Sequence, residues 1–237
     1  AATRTDIRIQ GIEGGITAPA GFRAAGVYAG IKPKTHAWPL DVMVMAAERS
    51  VPAAAVFTTN KTIAAPVVVS RDNLEKSRGH ARAIVCNSGC ANACTGDAGM
   101  QVARSTVEFV ARLFGCRSEE VLVASTGVIG VDLDLRKVTS GAAAAAAALS
   151  RDGHQNATLA IMTTDPFPKE AAVRVETPAG VFHVGGMTKG SGMIEPLMAT
   201  MLGVVTTDAA VAPALLQRAL KAAVDETFNA ITVDGEC

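Results

Sequence analysis

Apolar and polar positions alternate along this chain in two rhythms. Short β-branched or apolar runs at Val42 to Ala46, Ala53 to Thr58, Ile63 to Val69, Ala83 to Cys86, Val121 to Ala124 and Leu159 to Thr163 are separated by turn residues and predict strands. Between them, Met100, Ala103, Val107, Val110 and Leu113 recur at three- and four-residue steps, with Arg104, Glu108 and Arg112 on other faces. That spacing predicts an amphipathic helix closed by Gly115. A second helix is predicted from Leu135 to Leu149, where Ala142 to Ala148 form an unbroken alanine run. Ala172 to Val175 and Val181 to Val184 flank Pro178-Ala179-Gly180 as a hairpin. A third helix is expected from Pro213, with Leu216, Ala219, Leu220, Ala223 and Val224 at helical spacing, and a strand from Ala230 to Val233. The chain is therefore mixed α and β.

Composition narrows the picture. Of 237 residues, 49% are hydrophobic and only 4% aromatic, so the core must be built from Ala, Val, Leu, Ile and Met, which allow close backbone approach. Twenty-two basic and 22 acidic side chains cancel, with no basic run, which argues against a nucleic-acid partner. The five cysteines, Cys86, Cys90, Cys94, Cys116 and Cys237, are an odd number in a chain too large to need staples. They point to reduced thiols and a cytoplasmic location. Their spacing lacks CxxC pairs, and the four histidines lack HxH or HExxH spacing, so no metal is expected. No run approaches the roughly 18 apolar residues of a membrane span, and no export signal is visible. The last residues follow directly on an apolar run, as expected of a fragment of a longer protein.

Candidate chemistry lies in Lys189-Gly190-Ser191-Gly192-Met193, which leads through Pro196 to the Ala199-Thr200 bond and a further apolar run. By itself this reads as a loop followed by a strand. If the bond were cut, Thr200 would carry a free α-amine beside its own hydroxyl, base and nucleophile in one residue. An α-amine has a reference pKa of roughly 7.7–8.0, against about 10.4 for lysine, so a sizeable fraction is already neutral near pH 7.5 and able to accept the hydroxyl proton.

The turns supply a family. Asn87-Ser88-Gly89-Cys90-Ala91-Asn92-Ala93-Cys94-Thr95-Gly96, Ala124-Ser125-Thr126-Gly127-Val128-Ile129-Gly130, Ala160-Ile161-Met162-Thr163-Thr164-Asp165, Gly185-Gly186-Met187-Thr188-Lys189-Gly190 and Met198-Ala199-Thr200-Met201-Leu202 follow one another in order. With Thr17 to Phe22 and Val56 to Asn60 they closely resemble the ornithine acetyltransferases of arginine biosynthesis, also called glutamate N-acetyltransferases, from about residue 11 to the last residue.

The resemblance implies an α/β (α+β) fold, a layered sandwich with antiparallel sheets between helices like that of the N-terminal nucleophile enzymes. It implies cleavage between Ala199 and Thr200, which makes residues 1–199 an α-chain segment and residues 200–237 the beginning of a β chain. Members move an acetyl group from N2-acetyl-L-ornithine to L-glutamate through an acetyl-threonine intermediate; some also accept acetyl-CoA. They use no cofactor and assemble as α2β2. Carried to this sequence, Thr200 is the nucleophile, Thr126 and Gly127 stabilise the oxyanion, and Thr163 and Lys189 bind substrate together with Thr200. Thr164, next to Thr163, is the alternative substrate contact. Cys90 and Thr188 stand where the family more often has asparagine and alanine, and the family's β chain continues well beyond residue 237. An N-terminal nucleophile amidohydrolase or aminopeptidase, and an uncleaved binding module, are the alternative functions.

Overall fold

The computed structural model describes residues 7–195 and 200–235. It contains two four-stranded sheets. The first has the order β1-β6-β7-β8, from Arg8–Ile12, Lys169–Thr177, Gly180–Lys189 and Leu202–Thr207, and is antiparallel throughout. The second has the order β2-β3-β4-β5, from Phe22–Val27, Val42–Pro52, His80–Cys90 and Val121–Val128. Its β4 and β5 run parallel, a departure from the expected pair of antiparallel sheets. Among the described residues the α-helices are α1 (Ala65–Lys76), α2 (Gly96–Phe114), α3 (Leu135–Ala147), α4 (His154–Ile161) and α5 (Pro213–Glu226). The layered mixed architecture is the one expected from the sequence.

The second sheet is buried on both faces, which explains why its strands read as continuous apolar runs. Val42, Val44 and Ala46 of β3, Ala83 and Val85 of β4, and Val121 and Val123 of β5 point to α1, α2 and α3. The alternate residues Met43, Met45 and Cys86 point the other way, onto Ala157, Ala160 and Ile161 of α4 and Met187 of β7. Period-two alternation thus assigns one strand's side chains to two different cores. Gly26 lets α4 settle against β2, because a Cβ there would stand 1.9 Å from the Asn156 carbonyl oxygen. Gly26→Ala should therefore destabilise the fold by about 2–3 kcal/mol, read as a lower urea midpoint with an unchanged slope.

Two predicted strands are helices. Ile63 to Val69 lies largely in α1, where Pro66 occupies the first turn and sets a helical φ despite the three following valines. Ser70 and Asn73 of the same helix bond to β5: the Ser70 hydroxyl donates to the Val123 carbonyl (2.7 Å) and accepts its N–H (2.8 Å), and the Asn73 amide donates to the Val121 carbonyl (2.9 Å). Leu159 to Thr163 is the end of α4 and the turn after it. Ala53 to Thr58 belongs to no strand or helix, and Ala230 to Val233 gives only an isolated bridge from Val233 to Ile194. The strands β1 and β2 were not anticipated. By contrast α2, α3, the β6–β7 hairpin and α5 lie where the periodicity places them, and Gly115 closes α2 in the left-handed conformation at φ 59°.

Among the described residues no helix is long and apolar enough to cross a membrane, and no three His, Cys, Asp or Glu side chains are grouped to hold a metal ion.

Candidate active site

The parallel strands β4 and β5 end side by side, with Asn87, Ser88 and Gly89 opposite Ser125, Thr126 and Gly127. Beyond them Cys90 bulges, facing both Thr126 and Val128. Short polar bonds hold this corner: Ser125 donates to the Asn87 side-chain oxygen (2.6 Å), the Asn87 amide donates to the Cys90 carbonyl (2.9 Å), and Ser88 donates to the Ala160 carbonyl at the end of α4 (2.6 Å). Gly127 has a φ of 131°, and a Cβ on it would stand 2.3 Å from the Gly89 carbonyl carbon. Only glycine meets both conditions.

Lys189, the last residue of β7, reaches this corner from the other sheet. It is 3% exposed, and its ammonium donates to the Thr126 hydroxyl at 3.0 Å. Lysine has no acceptor, so the Thr126 oxygen must accept, leaving its own proton free to be donated elsewhere. Burial pulls the Lys189 pKa down, against the opposing pull of Asp165 and Cys86. Close by, the Cys86 thiol is pushed up to about 12 by burial, with Lys189 and Lys32 acting against the shift, so it stays a thiol and is no rival nucleophile.

Thr163 and Thr164 follow α4. The Thr163 N–H donates to Asp165 Oδ2 (3.2 Å), while Asp165 Oδ1 accepts from Gly190 N–H (2.8 Å) and from Lys169 Nζ (2.8 Å). Asp165 therefore joins the Thr163 turn to the residue after Lys189. Thr163 is half-buried, whereas Thr164 is exposed and pairs with Ser191 at 2.9 Å. Burial alone would raise the Asp165 carboxyl, but the Lys169 ammonium and the two N–H donors outweigh it and hold it below the usual carboxylate range. A depressed folded pKa adds stability above the unfolded value of about 3.9 that is lost as pH falls through the folded one. The wild-type urea midpoint should accordingly fall below pH 4, and Asp165→Asn should cost about 2 kcal/mol at pH 7 while flattening that acid limb.

Thr200 stands two residues before Leu202, which pairs with Lys189 in the β7–β8 ladder. It is exposed, with a φ of 54° that is strained for a β-branched residue. Among the described residues no hydrogen bond links it to Lys189, Thr126 or Thr163. Ala199, the other side of the expected cleavage bond, lies outside the described residues. The structure thus brings Lys189 into contact with Thr126, next to Gly127, ties Thr163 to Gly190 through Asp165, and leaves Thr200 two residues before the Lys189–Leu202 end of the β7–β8 ladder.

Sequence reasoning passed over Asp165, although it quoted the motif, and over two residues far upstream. Asp41 is fully buried and accepts the N–H groups of Ala29 (2.6 Å), Ile31 (2.6 Å) and Lys32 (3.0 Å). Lys32 is 3% exposed, and its ammonium donates to the Met162 carbonyl at 2.9 Å. Asp41 shows in the sequence as a charge beside the apolar run Val42 to Ala46, whereas Lys32, followed by Pro33, Lys34, Thr35 and His36, carries no such signal.

Fold and site define a layered α/β protein with a buried, lysine-held threonine at the ends of two parallel strands. The chain matches the model of the ArgJ family over residues 23–237 and belongs to that family. It is 53% identical over 225 residues to an arginine biosynthesis bifunctional protein ArgJ of Symbiobacterium thermophilum, covering 95% of this chain and 55% of that protein. The chain spans about half the length of the curated relatives it matches. Among solved structures, an arginine biosynthesis bifunctional protein argJ from Bacillus halodurans superposes with a TM-score of 0.73 at 33% identity, over 83% of this chain and 99% of that one. An ornithine acetyltransferase from Mycobacterium tuberculosis, complexed with ornithine, gives 0.70 at 40% identity, over 83% of this chain and 100% of that one.

Proposed function

We propose that this chain carries the nucleophile of an acetyltransferase that moves an acetyl group from N2-acetyl-L-ornithine to L-glutamate in arginine biosynthesis. In this reading the chain cuts itself between Ala199 and Thr200, residues 1–199 form an α chain, and residues 200–237 begin a β chain. The observation that carries it is the Lys189–Thr126 contact at the end of the ladder that also delivers Thr200. The lengths of the two solved relatives lend support: 83% of this chain covers all or nearly all of each, a share close to that of residues 1–199.

Cleavage begins with attack of the Thr200 hydroxyl on the Ala199 carbonyl carbon. The C–N bond breaks, the hydroxyl proton passes to the nitrogen, and water hydrolyses the resulting ester, leaving Thr200 with a free amine. The positive φ at Thr200 supports cleavage at this bond, since breaking the peptide releases about 1–3 kcal/mol of backbone strain. In transfer, that amine takes the hydroxyl proton as the oxygen attacks the acetyl carbon of acetylornithine. The proton then goes to the departing ornithine nitrogen, and glutamate's amine takes the acetyl group in the reverse sequence. Each tetrahedral intermediate carries an oxyanion, for which the free Thr126 hydroxyl proton and the Gly127 N–H are the donors. Lys189 fixes Thr126 in the accepting orientation and, as a buried cation, engages a substrate carboxylate and favours the neutral amine. Thr163 lines the substrate side. Acetyl-CoA as a second donor, an α2β2 assembly, a cytoplasmic location and the absence of any cofactor belong to the same reading.

The test is intact-mass analysis and N-terminal sequencing of the full-length protein, followed by a transfer assay. A fragment starting at Thr200, with glutamate-dependent release of ornithine, is the expected result. Ornithine release without glutamate would favour the amidohydrolase, and an uncut, inactive protein would favour the binding module.

A further inference from the structure

The transfer chemistry leaves one buried cation of the site without a role. Lys32 lies 130 residues upstream of Met162, on the loop that Asp41 gathers through three backbone N–H groups. Its ammonium donates to the Met162 carbonyl, which terminates α4, where a cation also complements the negative end of the helix dipole. Thr163 is the next residue. The stem of the same side chain crosses Gly89: a Cβ on Gly89 would stand 2.7 Å from Lys32 Cγ, and Gly89 is the partner of Gly127 in the β4–β5 ladder. The charge is a buried one. Burial lowers the Lys32 pKa to about 8, with Asp41, Cys86 and Asp165 pulling it up and Lys189 pushing it down. An ammonium this enclosed, beside a second lysine, is an expensive substitute for an apolar residue unless its bond does something an apolar residue cannot.

We propose that Lys32 is a positioning residue of the transfer site, a tether that holds the Thr163 turn against the strand pair carrying Thr126 and Gly127. The inference rests on the proposed function for its kinetic consequence but not for its structural one. Two of the site's parts come from distant segments, α4 with its following turn and the β4–β5 corner. Ser88 also bonds the end of α4, but to Ala160, two residues further from Thr163. Lys32 alone among the described contacts joins the carbonyl next to Thr163 to a side-chain stem resting on Gly89. It touches no reacting atom and acts through Met162.

The test uses the full-length protein and two readouts. Lys32→Met keeps most of the stem over Gly89 and removes the ammonium. Amide exchange over residues 162–165 should quicken about tenfold, and KM for N2-acetylornithine should rise about tenfold with kcat within about threefold of wild type. In a Thr163→Ala background, Lys32→Met should add no further rise in KM. If Lys32→Met does not fold, Lys32→Gln carries the same test, because its amide ends one atom short of the lysine nitrogen and cannot reach Met162. Unchanged exchange in the variant overturns the tether, and unchanged KM beside faster exchange overturns its part in the site. A wild-type protein that neither cuts nor transfers acetyl fails the functional reading instead, and amide exchange then still decides the tether.

Discussion

Thr200→Ala in the full-length protein is expected to leave the chain uncut and to abolish acetyl transfer. Both steps of the proposed mechanism need the same oxygen. In the first it attacks the neighbouring carbonyl; in the second it carries the acetyl group, with the liberated amine as its base. Strain at φ 54° makes a second explanation available, in which any change of backbone preference at this position stops cleavage. The two explanations separate with Thr200→Ser and Thr200→Gly. Serine keeps the hydroxyl without β-branching and should retain some cleavage and some transfer. Glycine tolerates the positive φ and has no hydroxyl, and it should remain whole. Mass analysis of the four proteins settles the matter, and normal processing of the alanine variant would refute the nucleophile assignment.

Gly127→Ala should have the next largest effect. An added methyl would lie 2.3 Å from the Gly89 carbonyl carbon and 2.6 Å from the Cys90 nitrogen, on a residue whose φ of 131° L side chains rarely adopt. Because both contacts are backbone atoms inside a sheet, the corner must shift rather than rotate a side chain away. Alanine keeps the N–H but the shifted corner misplaces it; loss of one oxyanion donor costs about 10²–10³ in kcat, so kcat for the proposed transfer should fall by up to that much, with cleavage slowed as well. A lowered unfolding midpoint is expected too. Thr126→Val keeps the shape of the side chain and avoids the backbone clash, but it also takes the acceptor from the buried Lys189 ammonium, so kcat should fall by a similar factor and the unfolding midpoint should fall as well. Transfer at the wild-type rate in Thr126→Val would remove Thr126 from the oxyanion site.

Legibility in the sequence followed the environment of each element. The helix α2 was plain because one of its faces meets the sheet and the others meet water, so Ala103, Val107 and Val110 recur at helical spacing. The hairpin β6–β7 was plain because its turn residues are local. In α1, the run Val67 to Val69 favours a strand by β-branching, and the helix is instead stabilised by Pro66 in its first turn and by the bonds of Ser70 and Asn73 to β5, a strand some fifty residues on. The eight-residue α4 is buried among β2, β3 and β7, so its apolar positions show no clean period. The candidate site divides in the same way. Thr126, Gly127, Thr163, Lys189 and Thr200 stand in contiguous motifs and were named from them. Asp165 and Lys32 gain their importance from partners brought near only by folding.

The sequence by itself therefore determined the mixed α/β class, the family and the ordered motifs, among them the one that makes Thr200 the proposed nucleophile. These are local properties, set by residue type and short-range spacing. Tertiary structure alone decided that β4 and β5 run parallel, that Lys189 of one sheet lies 3.0 Å from Thr126 of the other, and that Lys32 grips the end of α4. Each of these depends on which segments pack together, and a buried charge or polar bond acquires its energy from the partner and the low dielectric around it, neither of which is written in its neighbours along the chain.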